Sequence, residues 1–446
     1  MTTGMVQAVT LAPDPVFSSD VTVEIEQYAA LPTGVSGNLA SPAIIDGTLY
    51  VIDQANGQLY RDTGGSFELV DVALPTGTTL AGSSDPASPE SFLNITDGPG
   101  DTVYLALTLS RGSEFGSTNI AELPATSDYS GTEYVQAIYE YTISDGDLVA
   151  PELIAGFENR NFGHFGGGLI TLPDGQLAFV TGDALGFDRD GLAAPQDDTS
   201  HLGKVLLIDP DTGTVEVAAK GIRNGQRISY FDEAQSALIF SDIGAATAEE
   251  LNVISLADLT DTTTVENFGW GRNGDDDKAR EGTFFIDTMR MVEGEILVPE
   301  EGFESPYAQF GREDAEGFFA VTGAVTSDSS FDEIVALFGD LVSGNLFATM
   351  TDIDGLQPVF SIGLVDVFGE ATSLFTLADG RPDPRFFNFA DGSAGVLLEG
   401  NGTLYRLTET GAVIVDPPTP VPLPASGLLL LVGLATTGLL RRKRRA

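Results

Sequence analysis

Two histidines serve the whole 446-residue chain, His164 and His201, and they stand in different settings. His164 is followed by Phe165 and then Gly166, Gly167 and Gly168, a run that lets a ligand approach the backbone closely. Asp183 comes one strand-turn-strand later, where its carboxylate would lie beside the imidazole and fix its tautomer. A base oriented by an acid is what abstraction of an alcohol proton requires. On the residues alone, a structural histidine is the simpler account of this pattern. His201, just before Leu202-Gly-Lys204, reads as an ordinary loop residue.

Cations are scarce. Lys and Arg number 21 against 66 Asp and Glu, a net charge of −45, and five of the 21 sit in Arg441–Arg445. An arginine in the body is therefore a candidate for a task. Arg223, with Asn224 in Gly221-Ile-Arg-Asn224, is the first such candidate, and a surface turn is the plain alternative. Asp275–Asp277 reads as a solvated loop and Trp270, the only tryptophan, as core packing. So acidic a field repels nucleic acid and anionic membrane surfaces, and no nucleic-acid partner is expected. With no cysteine, a disulfide framework, a thiolate metal site and a Cys nucleophile are all excluded.

These groups must be held by a turn-rich, strand-built body. Hydrophobic residues make up 42% and charged residues 20%, which suits a folded chain and not a disordered one. Short apolar-alternating runs are punctuated by Asp46-Gly47, Asn56-Gly57, Asp174-Gly175, Asp354-Gly355, Asp391-Gly392 and Asn401-Gly402. Such dipeptides supply the positive φ that two-residue hairpins need. Helical periodicity is nearly absent outside the tail; Phe331–Phe338 offers a turn or two at most. Roughly 380 residues of hairpins with no dividing linker exceed one sandwich or barrel. The pattern predicts an all-β fold, a β-propeller of about six blades over 31–410, with ligands at the channel mouth on loops joining the blades.

An ordered set of motifs then carries a resemblance. It comprises Gly163-His-Phe-Gly-Gly-Gly168, Leu172-Pro-Asp-Gly175, Thr181-Gly-Asp183, Leu202-Gly-Lys-Val205 and Asp209-Pro-Asp211. Gly221-Ile-Arg-Asn224, Ser241-Asp-Ile-Gly244, Glu249-Glu-Leu-Asn252 and Asn267-Phe-Gly-Trp270 complete it. In order and spacing it resembles the glucose/sorbosone dehydrogenase family, which are six-bladed quinoprotein propellers. The likeness continues more weakly from about Ala40 to Leu407.

The resemblance implies that His164 is the general base and Asp183 its partner. It sets Arg223 and Asn224 against the quinone of pyrroloquinoline quinone (PQQ), where an arginine stabilises charge developing on the quinone oxygen. Backbone carbonyls of Gly244 and Ala245 would hold the cofactor's calcium, a hard cation suited to oxygen ligands, and Glu250 would belong to a second, structural calcium site. Glu249-Glu250 reads equally as an acidic pair flanking a hairpin. Arg381 and Arg385, in Gly380-Arg-Pro-Asp-Pro-Arg385, match a segment whose arginines face the three PQQ carboxylates. Some members carry a lysine near the segment matching Leu341-Val-Ser-Gly344, and this chain has none there. Glu90-Ser-Phe-Leu-Asn94 replaces a Gln-bearing sugar turn, and Gly163 stands where a sugar-contacting carboxylate can occur. Glucose itself is therefore not the expected substrate.

The tail carries a separate instruction. Ala425–Leu440 has no charge and would span about 24 Å as a helix, at the short end of what crosses a bilayer. Arg441–Arg445 supply a cytoplasmic positive flank. Residues 411–420 end in Asp416-Pro-Pro-Thr-Pro420, an extended Pro-rich spacer. Val421-Pro-Leu-Pro-Ala425, the apolar helix and the basic cluster together resemble the VPLPA-type PEP-CTERM sorting signals read by an exosortase-like membrane enzyme; a plain tail anchor is the alternative. In the N-terminal segment, 1–30, no basic residue or long apolar run marks a secretory signal.

The expectation is an exported, envelope-located protein that oxidises an aldose sugar or alcohol with PQQ and calcium. Its partners would be that small molecule, the sorting enzyme and the membrane. A non-catalytic surface propeller for adhesion or matrix binding is the alternative.

Overall fold

The structure of the chain, a computed structural model, describes residues 16–35, 38–76, 78, 80, 91–110, 134–159, 163–184, 194–232, 234–244, 248–261, 263–271, 303–311, 321–326, 331–350 and 356–410. Ala245, Asp275–Asp277, Glu90, residues 1–15, and the spacer and sorting segment of 411–446 lie outside them. No helix among the described residues is long and apolar enough to cross a membrane.

The first described element is a long strand, β1 (Val16–Ala30). A four-stranded antiparallel meander follows: β2 (Ala43–Ile45), β3 (Thr48–Asp53), β4 (Gln58–Asp62) and β5 (Phe67–Val70). Asp46 and Gly47 both take positive φ, 46° and 74°, which closes the two-residue turn between β2 and β3 as expected from the dipeptide. The second meander holds β6 (Phe92–Asp97), β7 (Thr102–Ser110), β8 (Tyr134–Ser144) and β9 (Asp147–Asn159). The third holds β10 (Gly166–Thr171), β11 (Leu177–Thr181), β12 (Lys204–Asp209) and β13 (Thr214–Lys220). Next come β14 (Ile228–Tyr230), β15 (Ala237–Asp242) and β16 (Ala248–Ser255), then the short helix α1 (Leu256–Thr260), whose cap Ser255 accepts from the Asp258 N–H. The two-residue β17 (Glu266–Asn267) adds in parallel to β13, and β18 (Ala308–Gly311) completes the fourth sheet beside β16.

The last sheet has nine strands. It comprises β19 (Val321–Val325), β20 (Ala336–Asp340), β21 (Leu346–Thr349), β22 (Val359–Asp366), the short β23 (Ala371–Thr372), β24 (Pro384–Asn388), β25 (Ala394–Leu398), β26 (Thr403–Thr410) and β1. A second short helix, α2 (Leu374–Ala378), precedes β24. Among the described residues there are therefore five sheets, not six separate ones. The reason is β1, which pairs antiparallel with β26 (Val23 opposite Glu409) and parallel with β22 (Val23 opposite Leu364), fusing two four-stranded runs. Val16–Ala30, ahead of the boundary expected near residue 31, is thus a strand of this sheet. At Phe331–Phe338 the expected turn or two of helix is replaced by the approach to β20, because Ala336–Asp340 is a wholly buried strand.

The fold is all-β and propeller-like. The inner strands touch in a cycle that closes through one hairpin: β2 with β6, β6 with β10, β10 with β14, β14 with its sheet partner β15, β15 with β19, β19 with β24, and β24 with β2. Core side chains fill the spaces between neighbouring sheets. Phe157 of β9 stacks on Phe179 of β11 at 5.9 Å, and Phe310 of β18 stacks on Phe338 of β20 at 5.8 Å. Each such pair buries large apolar area that one sheet alone would leave in water.

Candidate active site

Meander topology decides which loops meet. The start of β10, the end of β11, the β13–β14 connection and the end of β15 all fall at one end of their antiparallel sheets. His164, Asp183, Arg223, Asn224 and Gly244 occupy those positions. Residues far apart in sequence are thereby gathered at one end of the ring.

His164 Nδ1 lies 2.6 Å from Asp183 Oδ1. The carboxylate side chain is 2% exposed and the imidazole 15%, so the acid is sealed while the ring still reaches solvent. With Nδ1–H donating to Asp183, Nε2 carries the basic lone pair. Two glycines make this approach possible. A Cβ on Gly182 would stand 2.0 Å from the His164 carbonyl oxygen, and one on Gly166 would stand 2.5 Å from the Val180 carbonyl oxygen. His164 itself takes a left-handed φ of 50°, a conformation that a non-glycine residue holds only at a cost.

Asp183 is clamped from three sides. Its Oδ2 accepts the Trp270 indole N–H at 2.9 Å, and its backbone N–H donates to the Arg223 carbonyl at 2.8 Å. The Arg223 guanidinium lies over the Trp270 ring, 5.4 Å from its centroid. Trp270 is therefore more than the core filler expected from the sequence, since its N–H orients the acid that orients His164. Its carbonyl is held in turn by Gln196 Nε2 at 2.7 Å.

Beneath these groups sits Asp242. Its carboxylate accepts the backbone N–H of Arg223 (2.9 Å to Oδ2) and of Asn224 (2.7 Å to Oδ1), which fixes the turn carrying both. Burial pushes the Asp242 carboxyl up to about 7, against the pull of those N–H donors and of Arg223. Asn224 Oδ1 accepts the Gly166 N–H at 3.2 Å, tying the turn to the His164 loop. Arg223 Nη1 donates to the carbonyls of Ile243 (2.7 Å) and Gly244 (2.9 Å). The Gly244 carbonyl, expected as a calcium ligand, is thus a guanidinium acceptor here. Glu250 is buried in β16 opposite Asp242, and Glu249 accepts the Gly244 N–H at 3.3 Å. Among the described residues no group of three or more His, Cys, Asp or Glu is placed to hold a metal.

The later arginines behave differently from Arg223. Arg385 is buried and salt-bridged to Glu399 at 2.6 Å, with further bonds to the Leu39 carbonyl (2.9 Å) and Gln226 (3.3 Å). It lines a small internal space with Gln54, Gly166 and Gln226, so it does border the His164 loop. Arg381 is more than half exposed and pairs with Asp383 two residues away at 2.8 Å. His201 is not an ordinary loop residue: its ring packs on Phe157 at 5.5 Å, and burial holds the imidazole below its usual range. Lys204, passed over in the sequence, is fully buried and donates to the carbonyls of Ala194, Pro195 and Leu202 at 2.7–3.0 Å. It pins the turn from which Gln196 reaches Trp270.

No family model matches the chain, and no curated protein matches it. Solved structures do. The PQQ-bound form of the aldose sugar dehydrogenase from Streptomyces coelicolor aligns with a TM-score of 0.56 at 17% identity, over 90% of this chain and 100% of that one. A structure described as a glucose dehydrogenase aligns at 0.56 and 17%, over 87% and 99%. A carbohydrate-active enzyme of family AA12 from Trichoderma reesei aligns at 0.51 and 14%, over 92% and 100%. At such identities what is shared is the fold, an all-β propeller-like ring.

Proposed function

We propose that this chain is an oxidoreductase acting on an aldose sugar or alcohol, with His164 as the base. The observation that carries the reading is the His164–Asp183–Trp270 array with Arg223 beside it, at one end of a ring shared with sugar dehydrogenases. Counting the nine-stranded sheet as two fused units makes the ring a six-bladed propeller closed by β1. Asp183 holds the imidazole in the tautomer that leaves Nε2 to take a hydroxyl proton. Trp270 holds Asp183, and Asp242 holds the turn that aims Arg223 and Asn224.

For PQQ, the fit rests on Arg223. Its guanidinium is bonded to two carbonyls, so its charge is uncompensated by those partners and is available to a quinone oxygen. Arg223 and Asn224 would hold that end of the cofactor, whereas the Gly244 carbonyl expected at the calcium already accepts from the Arg223 guanidinium and does not fit the ion as placed. Bound there, PQQ would supply a two-electron acceptor for the substrate hydride. The carboxylate end is less well provided, because Arg385 is already paired with Glu399 and Arg381 with Asp383. That weakness favours the non-catalytic surface propeller as the second reading. On the tail's sequence alone, we further propose export, an exosortase-like partner and anchoring at the envelope.

The test is to reconstitute residues 1–412 with PQQ and calcium and follow dye reduction over a panel of aldoses and alcohols. Turnover that disappears in His164→Ala supports the reading. Failure to bind PQQ overturns the enzyme and leaves the scaffold.

A further inference from the structure

The opposite end of the ring holds a cavity of about 980 Å³. It opens at the carboxyl ends of the inner strands, with Thr96 of β6, Thr171 of β10, Tyr230 of β14 and Asn388 of β24 on its wall. The size falls within the range of small-molecule pockets. Arg227, at the approach to β14, also lines it.

Arg227 is unlike every other described cation. Arg61, Arg381, Arg385, Arg406 and Lys220 each pair with a carboxylate, while Arg223 and Lys204 bond to carbonyls. Arg227 is nine-tenths buried, its guanidinium forms no ion pair or hydrogen bond among the described residues, and its Nε is sealed without a partner. Its stem lies across Gly323, where a Cβ would stand 2.4 Å from Arg227 Cδ, so the fold leaves room for this side chain. Burial pushes the guanidinium down to about 10, which still leaves it charged at neutral pH. In a chain of net charge −45, a buried cation with no acceptor is costly unless a ligand supplies one.

We infer that this cavity is a binding site for a small hydroxylated carboxylate, whose carboxylate group pairs with Arg227. A guanidinium fork matches one carboxylate. A phosphate would bring more negative charge than one arginine offsets among the carboxylates that also line the cavity, half-buried Asp232 and Glu333 and exposed Asp97, Asp332 and Asp391. Those exposed carboxylates can accept hydrogens from ligand hydroxyls, which selects a polyol remainder. The inference does not rest on the oxidoreductase reading, because His164 lies at the other end of the ring.

The experiment is calorimetric titration of the full chain with D-gluconate, and with D-sorbitol as its uncharged counterpart. Saturable gluconate binding at least tenfold tighter than sorbitol is expected. It should weaken tenfold or more in Arg227→Gln, weaken less in Arg227→Lys, and persist in His164→Ala. Ser41→Asp, which adds a carboxylate to the same cavity without touching Arg227, should also weaken it and serves if Arg227→Gln fails to fold. Gluconate binding that is absent, equal to sorbitol, unchanged by these cavity variants, or lost in His164→Ala overturns the site; inorganic phosphate binding more tightly than gluconate overturns the carboxylate assignment.

Discussion

The two ends of the ring divide polar chemistry and space between them. At the His164 end the groups are bonded to one another in a chain, from Gln196 through Trp270 and Asp183 to His164, with little open volume between Gly166, Gln226 and Arg385. At the other end there is ample volume and one guanidinium with no partner among the described residues, its Nε sealed. The larger pocket is therefore not where the candidate base stands. A preorganised array is recognised by its internal hydrogen bonds, and a binding site by charge left unspent.

Removing the base should have the largest effect. His164→Ala is expected to lower turnover by about 10²–10⁴-fold, with a stability cost of only about 1–2 kcal/mol from the Asp183 oxygen it leaves without its donor. Retained dye reduction would mean that the ordered end is only structural. Gly182→Ala comes next, because its Cβ would collide with the His164 carbonyl at 2.0 Å and backbone cannot step aside cheaply. A loss of about 2 kcal/mol or more in denaturant unfolding is expected, together with loss of turnover. A variant as stable as the parent would show that the close contact does not organise the loop.

Trp270→Phe is a subtler break. It removes the donor to Asp183 Oδ2 and puts a smaller ring in place of the indole under Arg223, keeping most of the packing. A stability cost of about 1–2 kcal/mol is expected from the orphaned acceptor. If Trp270 is a positioning residue, kcat should fall about tenfold while KM stays near that of the parent, because the base is misaimed and substrate contacts are kept. A change in stability with an unmoved kcat would reduce Trp270 to core filler.

Much of this was legible in the sequence, and the failures have physical causes. Asp46-Gly47 announces its hairpin because both residues must take positive φ, a purely local demand. The fusion of two four-stranded runs by β1 is invisible, since Val23 meets Leu364 and Glu409 across more than 300 residues with no local trace. His164, Asp183, Arg223 and Asn224 were nominated together and the fold brings them together. The role of Trp270 is not legible, because an indole in the core looks the same in sequence whether or not its N–H has a partner. Arg381 carried its own warning in Asp383, the neighbour that pairs with it. Arg227 lies only three residues beyond Asn224 and gives no signal of its own, since nothing in composition distinguishes a paired arginine from a bare one.

The smallest expected effect is a difference in how stability at the two ends responds to pH. Asp242 is pushed up to about 7 by burial, so between about pH 4 and 7 the folded chain binds more protons than the unfolded chain. Its contribution to stability therefore falls as pH rises through that window. Lys204 is pushed down to about 7 by burial, so between about pH 7 and 10 the unfolded chain binds more protons. Its contribution rises with pH there. Both groups belong to the His164 end, whereas Arg227 exchanges its proton only near 10. Unfolding free energy measured from pH 4 to 9 should accordingly show a falling share that Asp242→Asn flattens and a rising share above 7 that Lys204→Met flattens. Arg227→Gln should leave both slopes as they were. The slopes are the readout, since either of the first two variants also costs absolute stability; if Arg227→Gln altered them as much, the two ends would be one electrostatic unit and the division between them would fail.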